Sequence, residues 1–136
     1  MADITITAAN VRPYSGATTK TVTAGATVTA GDAVYKDTSD SNEYKRCDST
    51  VAASTVIGGI AITNAGDGEP LIIQTAGDCN VGGTVVVGMV FVVSTNAGKL
   101  APLADVASGE YVSIIGYGIT SSKLRLDFQT SGVAKP

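Results

Sequence analysis

The sequence contains no histidine and no tryptophan, and these two absences narrow the range of functions. Without histidine, the Ser-His-Asp and Cys-His catalytic arrangements cannot form, and the commonest general base at neutral pH is missing. Two cysteines without histidine cannot supply the four ligands of an ordinary structural zinc site. We therefore expect a protein that is not an enzyme and that binds neither a metal nor a cofactor.

Positive charge is also scarce, with nine Lys and Arg against twelve Asp and Glu, which gives a net charge of −3. Binding to phosphate backbones needs basic residues gathered on one surface. The only adjacent basic pair is Lys45-Arg46, and Glu43 and Asp48 flank it, so we expect no nucleic-acid partner. The acidic stretch at residues 37–43 lacks the glycine and the spacing of an EF-hand loop, and we interpret it as a solvated hairpin tip.

Long apolar runs are missing as well. The longest covers residues 85–93, includes a glycine and is too short to span a bilayer. Residues 1–7 have neither the positive charge nor the apolar block of a signal peptide. We therefore expect no membrane partner and a cytosolic place of synthesis. Cys47 and Cys79 are predicted to be reduced thiols in that compartment, with a disulfide between them as the alternative.

What the sequence does contain is one pattern that occurs twice. Three segments rich in glycine, valine, isoleucine and threonine recur in the same order, and no potential nucleophile, base or metal ligand recurs with them. The matching pairs are residues 25–31 with 82–88, 59–63 with 116–120, and 71–77 with 126–132. The first two pairs are separated by 57 positions and the third by 55, because one loop is shorter in the second copy. The duplicated element is therefore structural.

Strand-like alternation runs through nearly the whole chain, with turn residues between the strands. Strands are predicted at residues 4–7, 21–23, 28–36, 56–63, 71–75, 85–94, 111–120 and 123–129. Many short strands separated by turns favour an all-β fold, a small sandwich or barrel with little or no helix. We predict two parts: an N-terminal strand or arm over residues 1–22, and a single β domain over residues 23–136. That domain is built from two internally repeated halves, at residues 25–80 and 82–132.

The two copies differ most in one strand. Thr29, Asp32 and Lys36 of the first copy correspond to Val86, Met89 and Val93 of the second. The second strand is therefore apolar on both faces and has to be covered on both sides. One cover is the interior of the domain, and the other is either more of the same interior or a second subunit. On the latter alternative, Val86, Met89 and Val93 form an oligomer interface.

Four segments together resemble the small head decoration proteins of tailed bacteriophages, which are also called capsid cement proteins. These segments are residues 2–11 (ADITITAANV), 28–35 (VTAGDAVY), 57–61 (IGGIA) and 88–92 (GMVFV). The resemblance covers nearly the full length and implies a non-enzymatic β-protein on the outer surface of the expanded head. Its implied partner is the major capsid protein, and homo-oligomers, with trimers favoured, are implied too. The implied location is the virion surface, after assembly in the host cytoplasm.

The resemblance also implies an N-terminal segment that becomes ordered only on the shell. Ile4, Thr5, Ile6 and Thr7 alternate apolar and polar residues, and such a segment can add as a strand to an exposed sheet edge of the capsid. These four residues are the predicted capsid contact. The alternative is that they form the first strand of the domain itself.

Two other classes of function stay open. One is a tail, fibre or surface-layer β-module, whose partner would be a cell surface or another fibre subunit. The other is a carbohydrate-binding module, which needs a surface lined by aromatic rings. The tyrosines that could supply it are Tyr14, Tyr35, Tyr44, Tyr111 and Tyr117.

Overall fold

The fold is all-β, which confirms the predicted fold class. A computed structural model describes residues 3–136, and its regular structure consists of ten strands and three short 3-10 helices. The strands are β1 (Arg12–Pro13), β2 (Thr18–Thr23), β3 (Ala33–Asp37), β4 (Glu43–Arg46), β5 (Ile57–Ala61), β6 (Pro70–Asn80), β7 (Val90–Val93), β8 (Leu100–Pro102), β9 (Tyr111–Gly118) and β10 (Lys123–Ala134). The 3-10 helices are Ala8–Asn10, Ala52–Thr55 and Leu103–Asp105. Within residues 3–136, no helix is long and apolar enough to cross a membrane.

The strands form one antiparallel sheet that curls into a half-barrel. Its order is β4-β3-β5-β6-β10-β9-β7-β8, and β1 and β2 also pair with β6. The long strand β6 therefore connects the two halves of the sheet. Its first part pairs with β2 and β5, and its last part pairs with β1 and β10.

The two sequence repeats have equivalent positions in this sheet. Read from its two ends, the order is β4-β3-β5-β6 and β8-β7-β9-β10, so each strand of one repeat has a counterpart in the other. The ladder between β3 and β5 pairs Ala33 with Ile60, Val34 with Gly59 and Tyr35 with Ile57. The ladder between β7 and β9 pairs Val90 with Tyr117, Phe91 with Gly116 and Val92 with Ile114, all 57 positions later. Both ladders have a bulge between the second and third of these pairs.

The interior consists of two clusters of buried side chains. The larger cluster combines residues of both repeats, among them Ile60 of the first and Phe91 and Leu124 of the second. The smaller cluster consists of residues of the first repeat, among them Val34 and Leu71, together with Ala24 just before it. Each large aliphatic or aromatic side chain that is fully buried stabilises the fold by roughly 1.5–3 kcal/mol. Because the larger cluster draws on both repeats, neither repeat buries its apolar face alone.

Three predicted strands differ most from the observed structure, and β1, β4 and β8 were not predicted. The strands predicted at residues 28–36 and 85–94 begin only at Ala33 and Val90, because the chain first makes a turn at a glycine with positive φ. Gly31 has φ +96° and Gly88 has φ +81°, a backbone conformation that glycine adopts without steric cost. Residues 4–7 belong to no strand, and the chain continues from them into the 3-10 helix Ala8–Asn10.

Candidate functional site

The N-terminal segment, residues 3–7, is anchored to the second repeat by its backbone. The Ile4 N–H donates to the carbonyl of Leu100 on β8 at 2.9 Å, and the Thr84 N–H donates to the carbonyl of Thr5 at 3.2 Å. Asp3 accepts a further hydrogen bond from the Asn96 side-chain amide at 2.7 Å. The segment thus lies against the edge of the sheet at β8 without forming a regular ladder.

The alternation in this segment separates its two faces. Ile4 and Ile6 are half-buried and pack against the larger core cluster, whereas Thr5 and Thr7 are exposed. A Cβ atom on Gly31 would lie 2.5 Å from Cγ2 of Ile6, so Ile6 directly covers that glycine. Of the four predicted capsid contacts, the two threonine side chains are therefore the ones presented outward.

Two equivalent turns precede β3 and β7, and their backbones are hydrogen-bonded alike. In the first turn (residues 29–32), the Asp32 N–H donates to Thr29 and the Gly31 N–H donates to Ala61. In the second turn (residues 86–89), Met89 donates to Val86 and Gly88 donates to Gly118, all 57 positions later. The two turns are therefore the same structural element.

The two turns differ, however, in how much of their side-chain surface is exposed, and the more apolar turn is the more exposed one. In the first turn, Ala30 is 6% and Asp32 is 4% exposed. In the second turn, Val86 is 54% and Val87 is 65% exposed. The first residue is exposed in both turns, Thr29 as well as Val86, but the following residues are buried in the first turn and more open in the second.

The three residues of the predicted interface, Val86, Met89 and Val93, differ in how far they are exposed. Val93 lies in β7 with no exposed surface and belongs to the larger core cluster, so its inclusion in an interface is wrong. Met89 is half-buried and packs against the same cluster. Val86 is exposed, and its neighbour Val87, which the sequence comparison did not single out, is more exposed still. The strand β7 is covered by its own domain, and only the turn before it is open.

A second surface is a row of side chains across the sheet, which we call the outer row: Tyr14, Asp78, Arg125 and Tyr117. The Tyr14 N–H donates to the carbonyl of Asp78, and Arg125 is paired in register with Asp78 on β6 and with Tyr117 on β9. The Arg125 guanidinium donates to the Asp78 carboxylate through Nε at 2.9 Å and through Nη2 at 3.4 Å. Asp78 first, and then Tyr117, raise the pKa of Arg125, which stays charged. Sequence reasoning missed this row, because only the strand register brings its members together.

The tyrosines do not form a common ring-lined surface. Tyr44 is buried at 6% exposure within the smaller core cluster. The two most exposed rings, Tyr14 and Tyr117, lie in the outer row, and the Lys123 ammonium sits 3.8 Å from the centroid of the Tyr14 ring. A cation in that position covers one face of the Tyr14 ring.

The acidic stretch at residues 37–43 is a hairpin tip closed by its own ion pairs. Lys45 Nζ lies 2.9 Å from carboxylate oxygens of both Asp37 and Asp40. Hydrogen bonds from Ser39 and then from Lys45 lower the pKa of Asp37 to about 2. Among residues 3–136, no group of three or more Cys, Asp or Glu is arranged to hold a metal ion.

Cys47 and Cys79 are both free thiols, and both are fully buried in the larger core cluster. Burial raises the pKa of Cys79 to about 12 and raises that of Cys47 further. Such thiols stay protonated near neutral pH and behave as small apolar side chains.

An open cleft of about 350 Å³ lies beside the first turn, and two polar side chains that line it already accept hydrogen bonds from the backbone. The Asn64 side-chain carbonyl accepts from the Ala30 N–H, and the Glu69 carboxylate accepts from the Gly66 N–H. These two hydrogen bonds hold together the loops that border the cleft.

Comparison with known proteins adds no further assignment, since no family model and no curated protein matches this chain.

Proposed function

We propose that the protein is a head decoration, or capsid cement, protein of a tailed bacteriophage. In this role it binds the outside of the expanded shell, bridges neighbouring major capsid proteins and stabilises the head against the pressure of the packaged DNA. It acts without catalysis, as a homo-oligomer for which three copies are favoured. Its location is the outer surface of the virion, after assembly in the host cytoplasm.

The observation that carries this proposal is the series of four sequence segments that resemble decoration proteins, spread from residue 2 to residue 92. They lie on a scaffold that suits surface binding, a curled sheet that carries the outer row, in which Tyr14, Arg125 and Tyr117 are exposed. Tyrosine and arginine are enriched in protein–protein interfaces. This supports a partner that is a protein surface.

The energetics of a shell fit such a modest surface. When many copies bind neighbouring sites on one particle, weak individual contacts add up to a strong collective hold. A deep pocket or a concentrated charge is then unnecessary. The net charge of −3 also disfavours contact of free copies with nucleic acid during assembly.

Co-sedimentation with shells of the parent phage tests the proposal. Purified protein is mixed with compact and with expanded shells, and the bound protein is quantified against the major capsid protein. We expect saturable binding to expanded shells at a fixed ratio. If neither form of the shell binds the protein, the proposal is overturned, and a fibre or surface module becomes the better reading.

The part played by the N-terminal segment is tested with a matched pair of variants. Replacing the exposed Thr5 and Thr7 by aspartate changes the outward face of the segment and leaves its buried isoleucines in place. Replacing the equally exposed Thr19 and Thr21 of β2 by aspartate is the control. We expect weaker shell binding for the first pair only. Equal binding by both variants would remove the segment from the capsid contact.

A further inference from the structure

The second turn, residues 86–89, lacks the cover that its counterpart has. In the first turn, Ile6 of the N-terminal segment and Val11 pack over Gly31, whose Cβ position would be 2.5 Å from Ile6 and 3.4 Å from Val11. At Gly88, the equivalent position, no atom lies within 4 Å among the described residues. Among the described residues, the second turn therefore has no cover equivalent to the one that Ile6 and Val11 provide at Gly31.

The side chains of the second turn are apolar, as expected of a surface that another molecule covers. Val86 and Val87 occupy the positions of Thr29 and Ala30 and leave more than half of their surfaces exposed, at 54% and 65%. Removing such apolar surface from water is favourable by about 25 cal/mol per Å². The second turn is therefore the more open and also the more apolar of the two, whereas a turn that stays in water is more often polar.

The surroundings of the turn fit another copy of the same chain. The sequence contains no charged residue between Asp78 and Lys99, and the two strands beside the turn, β7 and β9, contain none either. Lys123 and Arg125 lie one strand further away, on β10. When identical molecules meet around a symmetry axis, a charge near the axis faces its own copy, and such like-charge pairs are costly. A protein with a net charge of −3 approaches itself most easily through an uncharged region.

We propose that the second turn, residues 86–89, is the contact between copies of this chain, with Val86 and Val87 packed against the same residues of a neighbour. The two side chains offer far less than the roughly 800 Å² per partner of a standard interface. The association is therefore weak in solution, rises with concentration and becomes effective when neighbouring copies are held side by side. This proposal specifies the oligomer contact of the proposed function, but it makes no use of the shell.

The test uses free protein and a matched pair of substitutions. Val87 and Val133 are almost equally exposed, at 65% and 66%, but Val133 lies far along the sequence near the end of β10. In sedimentation velocity, we expect the average mass of the natural protein to rise with concentration into the millimolar range. Val87→Lys should remain monomeric over that range, and Val133→Lys should behave as the natural protein. A natural protein that stays monomeric throughout, or equal loss in both variants, overturns the proposal.

A crosslinking experiment gives an independent readout. Cys47 and Cys79 are buried, so a cysteine placed at position 87 or 133 is the reactive thiol of its variant. Under mild oxidation, Val87→Cys should form covalent dimers at least about tenfold faster than Val133→Cys, because the contact raises the local thiol concentration. Equal rates contradict the proposal. If the free protein is monomeric and Val87→Lys instead weakens binding to shells, the turn faces the capsid and the proposed contact between copies is wrong. Failure of shell binding itself is measured separately and leaves this test unaffected.

Discussion

Gly83 and Thr5 are in such close contact that a Cβ atom on Gly83 would overlap the carbonyl oxygen of Thr5. The next residue, Thr84, donates its N–H to that same oxygen at 3.2 Å. The equivalent of Gly83 in the first repeat is Ala26, so the repeat itself tolerates a side chain at this position. Glycine at position 83 is thus required by the N-terminal segment that crosses it.

Gly83→Ala should detach this segment or strain the loop beneath it. The added methyl group meets backbone, which gives way less easily than a side chain, and we expect a loss of about 1–3 kcal/mol in the free energy of unfolding. Urea unfolding measures that loss, and limited proteolysis near the N-terminus reports detachment. In a chain that lacks residues 2–7, the same substitution should have little effect. A full loss in that shortened chain would show that the contact with Thr5 is not the cause.

The bulges of the two repeats offer a comparison within one molecule. Gly59 pairs with Val34, and Gly116 pairs with Phe91, at the same place in each ladder. A Cβ on Gly59 would lie 2.9 Å from the carbonyl oxygen of Gln74, whereas one on Gly116 would overlap the carbonyl oxygen of Arg125. We expect alanine at either position to destabilise by about 1–3 kcal/mol in denaturant unfolding, with the larger loss at Gly116. The reverse order would contradict the close packing of β9 on β10.

Asp37 should make the stability depend on pH in the acidic range. Its pKa is about 2 in the folded protein, below the ordinary value of 3.8, because Ser39 and Lys45 donate hydrogen bonds to the carboxylate. A lowered pKa in the folded state means that the contribution is present above about pH 4 and is lost as the pH falls towards 2. The difference in unfolding free energy between the natural protein and Asp37→Asn should shrink over this interval. When Ser39→Ala is present in both proteins, the effect of Asp37→Asn on the unfolding free energy at neutral pH should be smaller. An effect of Asp37→Asn that is constant from pH 6 to about pH 2 would refute the assignment.

The two thiols should be unreactive until the protein unfolds. Burial raises the pKa of Cys79 to about 12, and the thiolate is the reactive form. At pH 8, an aromatic disulfide reagent should label neither Cys47 nor Cys79 in the folded protein and both in urea. Rapid labelling of the folded protein would mean that the larger core cluster opens readily.

Local pattern predicted where seven of the ten strands lie and missed β1, β4 and β8, and it did not show where the strands end or what covers them. The alternation of Val, Ile and Thr is a property of neighbouring residues, so β5 and β9 were predicted close to their observed positions, whereas β6 and β10 each continue five residues beyond the predicted end. Val86 and Val93 look alike in the sequence, yet one is exposed and the other is buried, because Gly88 turns the chain between them. That turn depends on a positive φ that the sequence pattern alone does not specify.

The outer row was beyond prediction for a different reason. Tyr14, Asp78 and Arg125 are far apart in the sequence, and they meet only through the register of β10 on β6 and the hydrogen bond from Tyr14 to Asp78. A shift of one residue in either pairing would place their side chains on opposite faces. Likewise, the alternation in residues 4–7 indicated two faces, but the partner of the apolar face, a core built from both repeats, could not be read from it.

The pairing of β6 with both β1 and β10 has a consequence for how the chain is made. Synthesis proceeds from the N-terminus, and pairings between distant strands form slowly. The larger core cluster includes both Val11 and Leu126 of β10, so it cannot close until β10 has left the ribosome. Until then, the edge of β6 that will pair with β10 is unpaired, and another strand with a similar alternation of residues can pair with it. On a polysome, the nearest such strand belongs to the second repeat of an adjacent nascent chain, and mispairing between chains is the expected hazard of rapid expression.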